Sequence, residues 1–218
     1  MAALRVLMTG FGPFPGAPFN PSRALVERLS RMRRPALDGV TIATHVFETR
    51  YAAIDRDFRS LIAAHDPDII LMFGLAARTT YIRVETRARN LMSFFPDAGG
   101  LSPKTRTIVA GADHRRLSPA LGMSLLRASR SYGLDARFSR DAGRYVCNYA
   151  FWHALEIAGT GNKARTAAFI HIPSLRRIAA KRSRMRRPSL ADLTLTGSAI
   201  LQSLLAAHRR AALTRVQD

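Results

Sequence analysis

Two residues in this 218-residue chain, one cysteine and one histidine, are placed to form a nucleophile and its base. Cys147, in GRYVCNYAFWHALEIAG, is the only thiol and falls at the predicted start of a helix. There, free N–H groups and the helix dipole favour a thiolate, and the same N–H groups can hold an oxyanion. A lone cysteine is equally a small apolar residue of a core, so a base must be found elsewhere. Of the six histidines, only His171 lies at the end of a buried apolar run, two residues before Pro173. His45 reads as a strand residue; His65, His114, His153 and His208 read as helix or loop surface. Taken alone, His171 is structural as readily as catalytic. Paired with a cysteine at a helix start, it has the position of a base that takes the thiol proton.

One cysteine rules out an intramolecular disulfide and any zinc site built on several thiolates. The chemistry above requires no metal and no cofactor. The loop TGFGPFPGAPFNPS invites a phosphate-binding reading, but its glycines follow G-x-G-x-x-x-G without Gly-Lys-Ser/Thr. Pro13 and Pro15 also remove backbone donors that a phosphate cradle would use. The loop offers Phe11 and Phe14 instead, at the carboxyl end of a strand, where open α/β sheets place ligands. A planar, uncharged ligand suits these rings; simple anchoring of the loop on the core accounts for them too.

These residues must be held by a framework. ALRVLMTG and DPDIILMFG read as buried strands of a mostly parallel sheet, TIATHVFET as a third and ARTAAFIHIP as another stopped by Pro173. NPSRALVERLSRM predicts a helix capped by Asn20 with Pro21 at its first position. YAAIDRDFRSLIAAH, LSPALGMSLLRASRSYG and LADLTLTGSAILQSLLAAHRRAAL continue the helical pattern. The alternation predicts one three-layer α/β/α domain over residues 1–218. Residues 90–118 have no clear period and read as a long loop with an irregular hairpin, of the kind that covers substrates.

The formal charge of +19 arises from 34 Lys and Arg against 15 Asp and Glu, and nearly all of the excess is arginine. The densest run, SLRRIAAKRSRMRRPS, has no interleaved aromatic residues, so it lacks the stacking platform of single-strand binders. Only weak, salt-sensitive attraction to polyanions is expected from it, and no specific nucleic-acid partner. No apolar stretch reaches the length of a membrane span and the N-terminus lacks a signal-peptide core, so a soluble, cytoplasmic protein is expected.

VLMTGFGPFPGAPFNPS, PDIILMFGLA followed by IRVETRARN, DAGRYVCNYAF and FIHIP, in this order, resemble the pyrrolidone-carboxylate peptidase family, also called pyroglutamyl peptidase I. These are cysteine exopeptidases that remove an N-terminal pyroglutamyl residue. The resemblance runs from about Leu4 to Pro173 and weakens between about 91 and 138. It implies a phosphorylase/hydrolase-like α/β fold with a mixed, mostly parallel sheet, and a Cys-His-Glu triad of Cys147, His171 and Glu85. It also implies that Phe11 and Phe14 line the lactam pocket, that the substrates are small peptides with N-terminal pyroglutamate, and that the protein forms homo-oligomers. Read from its neighbours alone, Glu85 is a surface carboxylate beside Arg83, Arg87 and Arg89.

Three departures stand against the family pattern. NLMSFFPDAGG lacks the arginine found where the family reads D-A-R-I-P-D-N; Ala77, Arg78 and Thr79 replace P-G-R; and VFETRY replaces a more apolar L-P-V stretch. Ser93, Phe94 and Phe95 in place of the arginine predict slower turnover and a preference for apolar leaving residues, unless Arg78 or Arg83 supplies the donor. Two other readings stay open here: a related thiol hydrolase with another acyl substrate, and a catalytically idle basic domain that binds RNA or an acidic partner.

Overall fold

A run buried at every position, such as Ile69–Leu75, belongs to a strand covered on both faces. The computed structural model, which describes residues 3–118, 122–160, 163, 165–176 and 187–214, places it near the middle of a six-stranded sheet. The strands are β1 (Leu4–Phe11), β2 (Val40–Phe47), β3 (Ile69–Leu75), β4 (Ile82–Glu85), β7 (Ala136–Ser139) and β8 (Thr166–Ile172), in the order β2-β1-β3-β8-β4-β7. All neighbours are parallel except β4 and β8, which are antiparallel, so the sheet is mixed. A separate antiparallel pair, β5 (Arg87–Arg89) with β6 (Arg115–Leu117), is the hairpin expected around the long loop.

The two-residue period of the strands sorts their side chains between two cores. Val6, Met8, Ile69, Leu71, Phe73, Val84, Ile170 and Ile172 face one way. They meet α1 (Pro21–Ser30), α3 (Met123–Arg130) and α5 (Leu190–Thr214) through Leu25, Leu29, Leu125, Leu201 and Leu204. Phe11, Ile70, Met72 and Phe169 face the other way, against α2 (Tyr51–His65) and α4 (Val146–Gly159) through Ile54, Phe58, Val146, Phe151 and Trp152. This is the predicted three-layer arrangement. Residues Leu190–Ala211 are, by length and composition, apolar enough to cross a membrane, although no such stretch was expected. Leu193, Ile200, Leu201, Leu204 and Leu205 of that helix lie in the first core, which accounts for its apolar face.

Local signals worked where expected. Asn20 caps α1: its side-chain oxygen accepts from the N–H of Ser22 at 3.1 Å, a contact typically worth about 1 kcal/mol. Gly10 permits α1 to approach β1, since a Cβ there would meet the Ser22 carbonyl oxygen at 2.8 Å. Of the arginine run, Arg177, Lys181, Arg182, Arg184 and Arg186 lie outside the described residues.

Candidate active site

Strand parity decides which side chains share a space. On β8, Phe169 and His171 point to the face covered by α4, while Ala168, Ile170 and Ile172 point away. In register, Gly74 of β3 lies opposite His171 on one side, and Arg83 of β4 lies opposite it on the other. Glu85, two residues after Arg83 and opposite Phe169, projects to the same face.

Glu85 is fully buried and His171 is 5% exposed. Nδ1 of the imidazole is 2.8 Å from Oε1 of Glu85. A carboxylate only accepts hydrogen bonds, so Nδ1 carries the proton and Nε2 is the ring nitrogen left to act as base. Nε of Arg83 approaches the same Oε1 at 3.0 Å, while Oε2 has no hydrogen-bond partner among the described residues. Burying a carboxylate is costly unless it is paired, and both partners here are charged or polarisable groups. Arg83 is fixed in turn: Nη2 donates to Oγ of Ser139 at 2.7 Å and to the carbonyl of Asp141. It is therefore not the replacement donor that the missing arginine called for.

Cys147 is the second residue of α4, as its sequence predicted. No side chain caps that helix, so its first N–H groups are not taken up by Tyr145. The sulfur rests on the floor of the sheet: a Cβ built on Gly74 would stand 3.0 Å from Sγ and 2.8 Å from two ring atoms of Phe169. Phe169 packs on the His171 ring with centroids 4.8 Å apart. Gly74 thus brings the thiol down beside the strand that carries the histidine. Burial opposes the thiolate that a helix start favours. Part of the residue reaches solvent, yet burial of the sulfur pushes the thiol up to about 12, and the Glu85 carboxylate adds to the push. The pull of its own backbone N–H is smaller. Desolvation outweighs the helix end, so the nucleophile needs its base.

The two phenylalanines part company. Phe11 has no exposed surface and packs between Phe47 and Phe169, at 5.8 and 6.0 Å. It backs the ring that supports His171. Phe14 is half-buried, 6.0 Å from the ring of Tyr145 at the start of α4. The loop carrying both is held by polar side chains: Ser22 Oγ accepts from Phe11 N at 2.9 Å, and Asn20 Nδ2 and Thr49 Oγ1 donate to the Gly12 carbonyl at 3.1 and 2.9 Å. Thr49 belongs to the segment that departs from the family pattern.

Sequence reasoning missed the residues that shape the long loop. Asn148, next to Cys147, donates from Nδ2 to the carbonyls of Arg89 and Leu91 at 2.8 and 3.0 Å and accepts from Arg89 N at 2.9 Å. Buried Asn90 accepts from Ile108 N and Val109 N at 2.8 and 2.9 Å. Buried Asp97 accepts from Gly99 N, Leu101 N and Tyr51 N at 2.8, 3.1 and 3.2 Å. The signal was present only as single polar residues, without any period. Among the described residues no group of three or more His, Cys, Asp or Glu side chains could hold a metal ion.

Residues 4–209 match the family model for pyroglutamyl peptidase. A pyrrolidone-carboxylate peptidase of Gloeobacter violaceus is 32% identical over 173 residues, covering 79% of this chain and 82% of that one. The crystal structure of pyroglutamyl peptidase I from Bacillus amyloliquefaciens superposes with a TM-score of 0.81 at 27% identity, over 94% of this chain and 98% of that one. The pyrrolidone carboxyl peptidase of Fervidobacterium islandicum gives 0.83 at 26% identity, over 93% and 99%.

Proposed function

Because this chain belongs to the pyroglutamyl peptidase family, we propose that it hydrolyses the bond after an N-terminal pyroglutamyl residue, with Cys147 as nucleophile, His171 as base and Glu85 as the acid that orients it. The observation that carries the assignment is the convergence on one face of the sheet: Sγ against Gly74, His171 in register with Gly74, and Nδ1 of His171 2.8 Å from Glu85. No observation on the described residues favours a nucleic-acid role.

Nε2 of His171 takes the thiol proton as sulfur attacks the pyroglutamyl carbonyl. The developing oxyanion is met by N–H groups at the start of α4, that of Cys147 among them. Collapse forms a thioester, and the imidazolium passes its proton to the departing amine. Water, deprotonated by the same nitrogen, then releases pyroglutamate and restores the thiol. Buried Glu85 stabilises the imidazolium between these steps, and Arg83 holds the carboxylate in place. Phe14, beside Tyr145, is the ring available to the lactam; Phe11 acts from behind, through Phe169. The same reading has the enzyme working on small peptides in the cytoplasm, where a lone thiol stays reduced, and as a homo-oligomer.

The test is mass spectrometry of a synthetic peptide carrying N-terminal pyroglutamate, beside the same peptide beginning with glutamine. Loss of one residue from the first alone supports the reading. Both intact, or both shortened, would contradict it.

A further inference from the structure

Leu91–Pro96, with Arg106 and Arg144, lines a solvent-open pocket of about 370 Å³. Phe94 and Phe95 are 50% and 57% exposed there, more than large aromatic rings normally concede to water. None of the lining residues is acidic. Neither guanidinium has an ion-pair partner among the described residues; Arg106 lies over the Phe94 ring, 5.1 Å from its centroid.

The cavity is tied to the turn that carries the nucleophile. Ser93 N donates to the Arg144 carbonyl at 2.6 Å, Asn148 Nδ2 to that of Leu91 at 3.0 Å, and Tyr145 Oη to that of Pro96 at 3.1 Å. Arg144 precedes Cys147 by three residues, so its Cα lies within about 11 Å of the nucleophile's even along an extended chain. The segment that lines this cavity, where the family arginine is lost, is thus hydrogen-bonded directly to Arg144, Tyr145 and Asn148, which flank the nucleophile in the chain. Two unpaired guanidiniums beside an apolar floor match a carboxylate next to an apolar group, because the arginine fork suits carboxylate oxygens.

We propose that this cavity receives the residue released after the pyroglutamyl group, and that Arg106 and Arg144 select a carboxylate on it. The inference rests on the peptidase assignment above. The carboxylate is either the free α-carboxylate of a pyroglutamyl dipeptide or an acidic side chain, and two substrate pairs separate them. The first is pyroglutamyl-leucine against pyroglutamyl-leucinamide. The second is pyroglutamyl-glutamate amide against pyroglutamyl-glutamine amide.

In low salt the wild-type enzyme should favour the carboxylate member of at least one pair by about 5- to 30-fold in kcat/KM, chiefly through KM, the scale of a partly exposed charge-assisted contact. Preference in the first pair identifies dipeptides, and in the second an acidic residue. The ratio should shrink with added salt and collapse toward one in Arg106→Ala/Arg144→Ala, while Arg144→Lys keeps part of it. A neutral pyroglutamyl coumarinylamide serves as the control for the assignment itself. If the wild type cleaves that amide but shows no acid preference in either pair, the cavity proposal is wrong and the peptidase assignment stands. If it cleaves nothing, both are wrong.

Discussion

Gly74 and Cys147 are in contact distance only because one of them has no side chain: a Cβ on Gly74 would sit 3.0 Å from Sγ, with two Phe169 ring atoms at 2.8 Å. Both neighbours are fixed, the sulfur by its helix and the ring by the core. Gly74→Ala should therefore push the sulfur away from His171. Overpacking of this kind costs about 1–3 kcal/mol in stability, and a displacement of about 1 Å at a reacting atom costs on the order of 100-fold in rate. Thermal melting and kcat on a pyroglutamyl substrate, measured together, check this. Unchanged kcat would show that the glycine is not what brings the thiol to its base.

Cys147→Ala and His171→Ala should each remove turnover while leaving a folded protein, because the members of such a constellation act as a unit. Glu85→Gln keeps an oxygen for Nδ1 but loses the charge that stabilises the imidazolium. Its activity should fall by about two orders of magnitude less than that of the other two, by analogy with the acid of serine hydrolases. Equal losses in all three would mean that Glu85 is indispensable to the positioning of His171 as well as to its charge.

Phe11→Ala and Phe14→Ala should fail in different ways. Phe11 is wholly buried among rings, so its truncation should lower stability by about 3–5 kcal/mol. Phe14 is half-buried beside Tyr145; losing it should lower kcat/KM by roughly 10- to 200-fold, the scale of one apolar substrate contact, with less effect on melting. Denaturant unfolding paired with steady-state kinetics separates the two. A kinetic defect without instability in Phe11→Ala would return that ring to the pocket.

Burial holds the Cys147 thiol protonated, up to about 12, and this has two consequences of the same sign. Alkylation of the free enzyme by iodoacetamide should be slow at neutral pH and keep rising beyond the ordinary thiol range of about 8.5. Since the folded-state value is raised, the stability gained from the buried neutral thiol is complete below about 8.5 and is lost as pH climbs toward the folded value. Melting of the wild type should thus decline more steeply above that pH than melting of Cys147→Ala. Fast alkylation reaching a plateau below pH 8 would show that the free enzyme already holds a thiolate.

Strands β1, β2, β3 and β8, the helices and the thiol at the start of α4 were legible because period, caps and prolines are local signals, whereas the four-residue strands β4 and β7 were too short to show a period. Asn20 and Pro21 are examples: the cap and the first turn follow from two adjacent residues. Glu85 was not legible from its neighbours. Three nearby arginines suggest a solvated carboxylate, and only the antiparallel register of β4 on β8 turns it inward to His171. The aromatic pair was half legible: Phe11 and Phe14 are alike in the sequence, but strand parity buries the first, while the second lies beyond the strand end. The loop after Asn90 was opaque because its order comes from buried Asn90, Asp97 and Asn148 holding scattered backbone groups. Such polar centres leave no period to read.

The most direct measurement is turnover of a fluorogenic pyroglutamyl amide by the wild type and by Cys147→Ala, with the matching prolyl amide, whose ring lacks the lactam carbonyl and carries a basic amine instead, as comparison. The account predicts measurable hydrolysis of the pyroglutamyl amide by the wild type, little of the prolyl amide, and none of either by the variant. Activity of Cys147→Ala within tenfold of the wild type, or equal cleavage of the two amides, would contradict it.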